Sequence, residues 1–155
     1  MHTGMLDKSR IGYSFPAFSA TLEKGRLRFF AKAIGETSPV YLDEKAATEA
    51  GFHSLPMLPT FAFCLGKEAP DPNDVFALFG IQIADVLHGE QSFQYHRIPC
   101  SGDALTVRRT IADVYERKNG SLGFIVLKME VTDDHARSVF EATQTIIIKQ
   151  NAAAP

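Results

Sequence analysis

The sequence predicts a single α+β domain in which an antiparallel sheet wraps a short apolar helix. Three observations carry that expectation. The first half of the 155-residue chain has helical periodicity and the second half alternates like strands. Between them lies 56-PMLPTFAFCLGKE-68, whose residues 61–65 are apolar on every side. A helix that is apolar all round is buried all round. A chain of this length suits one domain and buries a core without disulfide staples.

The elements follow in order. Residues 1–11 and 150–155 are expected to be flexible ends, with the domain over 12–149. Gly12–Ala20 is an extended segment interrupted by Pro16. Thr21 is a candidate N-cap for a helix whose face carries Leu22, Arg26, Phe29, Phe30, Ala33 and Ile34. Gly35 stops it. Asp43 caps a second short helix, EKAATEA, which Gly51 ends. Pro59 suits the first turn of the central helix, where a missing N–H costs nothing. That helix spans about ten residues, or roughly 15 Å.

Strand signals dominate from residue 90 onward. Glu90–Arg97 places Phe93 and Tyr95 on one side. Leu105–Val114 places Leu105, Val107 and Ile111 together. Leu122–Val131 aligns Ile125, Leu127, Met129 and Val131, and Arg137–Lys149 ends in the run Ile146 to Ile148. Such alternation marks half-buried antiparallel strands, read here as a four-stranded meander. Asn119-Gly120 is a two-residue hairpin signal, and Gly102-Asp103 and Asp133-Asp134 mark further turns. This ordering is that of a hot-dog fold. Another α+β sandwich is the alternative.

Composition excludes several classes. The net charge is -2 with scattered Lys and Arg, so no basic stripe marks a nucleic-acid or anionic-membrane partner. No apolar run approaches the roughly 18 residues of a membrane span. The start, MHTGMLDKSR, has no apolar signal core. Cys64 and Cys100 lack zinc spacing, and Cys64 reads as a buried thiol in a reduced, cytoplasmic protein. No His/Cys/Asp/Glu set has metal spacing. A G-x-S-x-G elbow and a phosphate-binding glycine loop are both absent. Twelve phenylalanines and no tryptophan suit a core, or a core and an acyl-chain tunnel together.

Three strings carry a family resemblance: FAKAIGETSPVYLDEKAATEAGF, LPMLPTF, and LHGEQSFQYHRIPCSGDALTV. Together they resemble the N-terminal half-domain of MaoC-like dehydratases, the (R)-specific enoyl-thioester hydratases and 3-hydroxyacyl dehydratases. The likeness covers about residues 12 to 148 and extends to the small dehydratase subunits of mycolic-acid synthesis. Arg97-Ile98-Pro99 stands where the family tends to have Arg-Pro. The resemblance implies a hot-dog domain, a (3R)-hydroxyacyl or trans-2-enoyl thioester of CoA or acyl carrier protein as substrate, and no cofactor. It also implies a homodimer or a heterodimer with another MaoC-like subunit.

Hydration of an enoyl thioester needs a base, a proton donor and N–H groups aimed at the thioester oxygen. Each acid/base group contributes about 10²–10⁴-fold, and one oxyanion donor about 10²–10³-fold. Catalytic members carry a stretch resembling D-x-N-P-x-H. Aligned on Pro39, its Asp falls on Glu36, its Asn on Ser38 and its His on Tyr41. Tyr titrates near about 10 and His near about 6.5, so Tyr41 is a poor base that can still donate a hydrogen bond. Glu36 keeps a carboxylate but lengthens it by one methylene. A displacement of about 1 Å can cost on the order of 10²-fold. The helix start resembles P-x-x-H-G in catalytic members and reads Pro56-Met57-Leu58-Pro59-Thr60 here. Pro59 has no N–H, whereas those of Thr60 and Phe61 are available for a carbonyl.

Glu36 and Tyr41 are therefore the catalytic candidates, in degenerate positions, with a plain helix-to-helix turn as the competing reading. Pro59, Thr60, Phe61 and His88 are the substrate-binding candidates. In a regular strand His88 and Glu90 would share a face, which makes them an acid/base pair to weigh. The leading expectation is a hydro-lyase subunit that binds substrate beside a catalytic partner. A self-sufficient homodimeric enoyl-CoA hydratase, a non-enzymatic acyl-CoA-binding protein and a thioesterase are the alternatives.

Overall fold

The computed structural model describes residues 6–71 and 73–150. Its elements run β1 (Phe18–Thr21), α1 (Lys24–Ala33), α2 (Glu44–Glu49), α3 (Ala62–Leu65), α4 (Asp74–Phe79), β2 (Val86–Tyr95), β3 (Ala104–Arg117), β4 (Leu122–Asp133) and β5 (Ser138–Lys149). The strands form one antiparallel sheet in the order β1-β3-β4-β5-β2. The α+β hot-dog expectation holds. The meander does not extend to β2, which crosses from the far edge and pairs with β5 instead of β3. Residues 96–103 make that crossing over the strand ends. There Arg97 bonds Asp103 (3.4 Å) and Asp133 (3.1 Å), tying the crossing to the end of β4. Burial raises the Asp133 carboxyl, but the N–H groups of Arg137 and His135 and the Arg137 guanidinium outweigh it and lower it to about 2.

Local chemistry explains the helix boundaries. α1 begins at Lys24 after an extended Glu23, so Thr21 ends β1 and is not the cap. Gly35, at φ +77°, donates to Lys32 O while Glu36 N–H donates to Ala31 O. That pair of bonds is the Schellman closure, which needs a left-handed residue. Asp43 caps α2 by accepting from Ala46 N–H (2.9 Å). The buried side of α1 is formed by Leu27 and Ala31, with Phe30 half-buried. Phe29 and Ile34, expected inside, are exposed by 75% and 52%. Phe29 is outside because the buried stripe of Leu27 and Ala31 lies on the other side of Phe30, and Ile34 is outside because it is the C-cap, past the last helical residue Ala33.

The sheet's inner face matches the strand periodicity. Leu105, Val107 and Ile111 of β3 and Ile125, Leu127, Met129 and Val131 of β4 are all buried. A bulge at Ala112 lengthens β3 by one residue and brings Val114 back to the core side. Asn119 and Gly120 both have positive φ, 52° and 80°, as a tight Asn-Gly hairpin turn demands.

The described residues next to the two ends make contacts with the domain. The expected flexible start, residues 1–11, and tail, residues 150–155, fall partly on residues 1–5 and 151–155, outside the described residues. Within 6–11, Lys8–Arg10 forms a 3₁₀ turn capped by Asp7, and Leu6 is 4% exposed. A Cβ on Gly123 would meet Leu6 Cδ1 at 2.6 Å, so the bare glycine makes the seat for Leu6. Gln150 is buried too.

The central segment is a run of helical turns, 3₁₀ over Pro59–Phe61, α3, then 3₁₀ over Gly66–Glu68. Phe61, Ala62 and Leu65 are buried, but Phe63 and Cys64 are only half-buried. The expectation of burial on every side is corrected to burial on one side. A single sheet covers one side, and α1 touches the other side at two points: Phe30 meets Phe61 edge-on at 5.2 Å, and Arg26 ion-pairs with Glu68 at the far end. Burial raises the Cys64 thiol above its ordinary range.

Candidate functional site

Glu36 emerges directly from the glycine turn that ends α1. Its Oε1 accepts the backbone N–H of Ser38 at 2.8 Å, closing the carboxylate onto its own loop. Pro39–Tyr41 then makes a single 3₁₀ turn, and Arg28 Nε donates to Leu42 O at 2.9 Å, holding the loop against α1. Tyr41 is half-buried against the core cluster that contains Phe61. The structure thus puts both candidates in one loop beside the central helix. It gives Glu36 a hydrogen bond within that loop instead of one to Tyr41.

The helix start is fixed from below. Met57 N–H donates to Pro99 O (2.8 Å) and Ser101 N–H to Leu55 O (2.8 Å), pairing the approach segment with the β2–β3 crossing. The Tyr95 hydroxyl donates to Pro59 O at 2.6 Å. Burial pushes this phenol well above its ordinary range, so it stays a donor at any physiological pH. Phe61 N–H donates to Leu58 O at 2.9 Å. Of the two expected oxyanion donors, only Thr60 remains uncommitted. It is exposed, and as the second residue of a first helical turn its N–H has no acceptor within the helix.

His88 stacks on Phe63 of α3, ring centroids 5.2 Å apart and tilted by 32°. It therefore faces the helix. The expected His88–Glu90 pair does not form. His88 pairs with Ile146 and Glu90 with Thr145, leaving Gly89 as an extra residue. One bulged residue reverses the alternation, so the two side chains point to opposite faces. Gly89 is required there, since a Cβ would lie 2.7 Å from Ile147 Cδ1.

Behind α3 lies a cavity of about 40 Å³. Phe63, Phe76, Leu127, Met129 and Ala142 make its apolar wall, and Lys67, Gln91, Arg109 and Gln144 supply polar groups. Arg109 is only 4% exposed and grips Asp74 at the start of α4 with both terminal nitrogens. Its guanidinium also lies over Phe15, 5.0 Å from the ring centroid. The sequence reading passed over Arg109, although period-2 spacing puts it on the same face as Val107 and Ile111. An arginine in an apolar row was the signal. Among the described residues no group of three or more His, Cys, Asp or Glu could hold a metal ion, and no helix is long and apolar enough to cross a membrane.

With this geometry in view, comparison with known proteins is informative. The family described as "FAS1-like, dehydratase domain region" matches residues 9–142. A UPF0336 protein of Saccharopolyspora erythraea is 33% identical over 152 residues, spanning 97% of this chain and 96% of its own. A UPF0336 protein of Streptomyces coelicolor is 32% identical over 151 residues, spanning 93% and 95%. Among solved structures, the C-terminally truncated HadBC (3R)-hydroxyacyl-ACP dehydratase complex of Mycobacterium tuberculosis aligns with a TM-score of 0.76 at 26% identity. It covers 89% of this chain and 96% of its own. The (R)-hydratase PhaJ1 of Pseudomonas aeruginosa, at 16% identity, shares the fold with a TM-score of 0.65 over 94% of this chain and 89% of its own. The chain belongs to the FAS1-like dehydratase-region family, and its fold is the hot dog of the MaoC-like hydratases and dehydratases.

Proposed function

We propose that this chain is the substrate-holding, catalytically degenerate half of a two-chain hot-dog hydratase/dehydratase acting on (3R)-hydroxyacyl or trans-2-enoyl thioesters. The observation that carries the reading is the pairing of two altered elements around one helix start. Tyr41 stands where a histidine base is needed, and Glu36 is engaged by its own loop. Pro59 has no N–H, and that of Phe61 is taken by Leu58. One altered element would weaken an enzyme; two remove both the acid/base step and most of the oxyanion site. The HadBC complex, a two-chain dehydratase by its name, supports a heterodimer in which a second hot-dog chain supplies the Asp and His. The edge strand β2 leaves one side unpaired for such a partner.

The purified chain, assayed on crotonyl-CoA and on a longer enoyl-CoA, is expected to show no hydration above background. Mixed with a hot-dog chain carrying D-x-N-P-x-H, it supports hydration, and Glu36→Gln leaves that rate within about twofold. Robust hydration by the chain alone, lost in Glu36→Gln, refutes the degenerate reading in favour of a self-sufficient hydratase. Release of free thiol from acyl-CoA would point to a thioesterase, and binding without turnover in any pairing to an acyl-CoA-binding protein.

A further inference from the structure

The polar side of the cavity behind α3 is unlike the floor of a plain alkyl tunnel. Arg109 is nine-tenths buried, and its Nε has no hydrogen-bond partner among the described residues. Gln91 Oε1 is also buried without one. Lys67 lies over the rings of Phe63 and Phe76, 5.4 and 6.0 Å from their centroids, and has no ion pair among the described residues. It is the one cavity-lining side chain in the exposed range, so it stands at the mouth while Arg109 stands at the base.

Water can satisfy an orphaned donor or acceptor but carries no charge. Lys67 and Arg109 bring two positive charges to this site, and Asp74 brings one negative. Asp74 meets the Arg109 charge, and the exposed Lys67 is left as the surplus positive charge at the mouth. Burial and repulsion from Arg109 both lower the Lys67 ammonium from its ordinary range, against a smaller opposing effect of Asp74. An anion between Lys67 and Arg109 removes that imbalance. The cavity volume, about 40 Å³, suits a carboxyl-sized group. Arg109 Nε and Lys67 Nζ supply charge-assisted donors. Phe63 and Phe76 flank an apolar stem leading in.

We infer that this cavity is a carboxylate site, selecting acyl thioesters whose far end carries a carboxylate. The inference rests on the substrate-holding reading above. It adds the class of acyl group: the thioester of a dicarboxylic acid, with a short apolar stem between its two ends.

The experiment compares adipoyl-CoA with hexanoyl-CoA, equal in carbon number, by titration calorimetry on the full chain. Adipoyl-CoA is expected to bind at least about tenfold more tightly, the effect of one charge-assisted hydrogen bond. Lys67→Met is expected to bring the ratio close to one, and Lys67→Arg to restore it. Lys67 is exposed, so a folding defect does not obscure the result, and the thermal midpoint of each variant checks this. Equal binding of the two thioesters in the unaltered chain overturns the carboxylate site and leaves the substrate-holding reading intact. A preference left undiminished by Lys67→Met overturns it as well. Failure of both thioesters to bind overturns both inferences together.

Discussion

Two regions flanking the central helix differ sharply in how their polar groups are used. In front of its start, the loop of Glu36 and Tyr41 is closed upon itself: Glu36 bonds Ser38, Arg28 bonds Leu42, and Phe61 N–H bonds Leu58. Behind the helix, Arg109 Nε and Gln91 Oε1 are buried without hydrogen-bond partners, and Lys67 forms no ion pair, among the described residues. A buried polar atom without a partner needs a physical explanation, and a ligand is one such explanation. Arg10 Nε and Glu116 Oε1 are also buried without hydrogen-bond partners, but Arg109 and Gln91 are the two that line one cavity. In the region that would do the chemistry only the exposed Thr60 N–H stays uncommitted, whereas the region that would hold the substrate keeps buried polar atoms unpaired.

The strongest way to break this contrast is Arg109→Met. It leaves the Asp74 carboxylate at the start of α4 without its partner, and breaking a buried ion pair costs about 3 kcal/mol. Urea unfolding measures it, and Arg109→Met combined with Asp74→Leu is expected to recover most of the loss. A single-variant cost below about 1 kcal/mol would mean that Arg109 is not a structural member of the cavity wall. Tyr95→Phe tests the front. It removes the hydroxyl that fixes Pro59 O and is expected to cost about 1 kcal/mol, read from the shift in thermal midpoint. The smallest effect is expected from grafting the family pair back. Glu36→Asp with Tyr41→His leaves the isolated chain at background activity on crotonyl-CoA, because Pro59 has no N–H, that of Phe61 is taken by Leu58, and Thr60 alone is left to face the thioester oxygen. A gain of about 10²-fold or more would show that the loop alone was the defect.

Some errors of the sequence reading share one cause. His88 and Glu90 were placed on one face by strict alternation, and a single extra residue, Gly89, separates them. Phe29 and Ile34 were placed inside by helical spacing, but Ile34 lies past the helix end, and a short amphipathic helix can present either of two overlapping apolar stripes. Periodicity counts residues along one element. It does not register a bulge or the direction from which a neighbouring element approaches.

Taken alone, the sequence determined the α+β class, the inner faces of β3 and β4, the caps at Gly35, Asp43 and Gly51, and the departure of Tyr41 and Pro59 from the family pattern. Those features depend on local backbone preference, on side-chain period, or on residue identity at a motif position, all of which are written along the chain. Only the tertiary structure decided the place of β2 beyond β5, the partial cover of α3, and the meeting of Lys67, Gln91 and Arg109 around one cavity. Those residues come from a helical turn and two strands that are not neighbours in the sheet. No local pattern links them, because their proximity arises only when the sheet closes against the central helix.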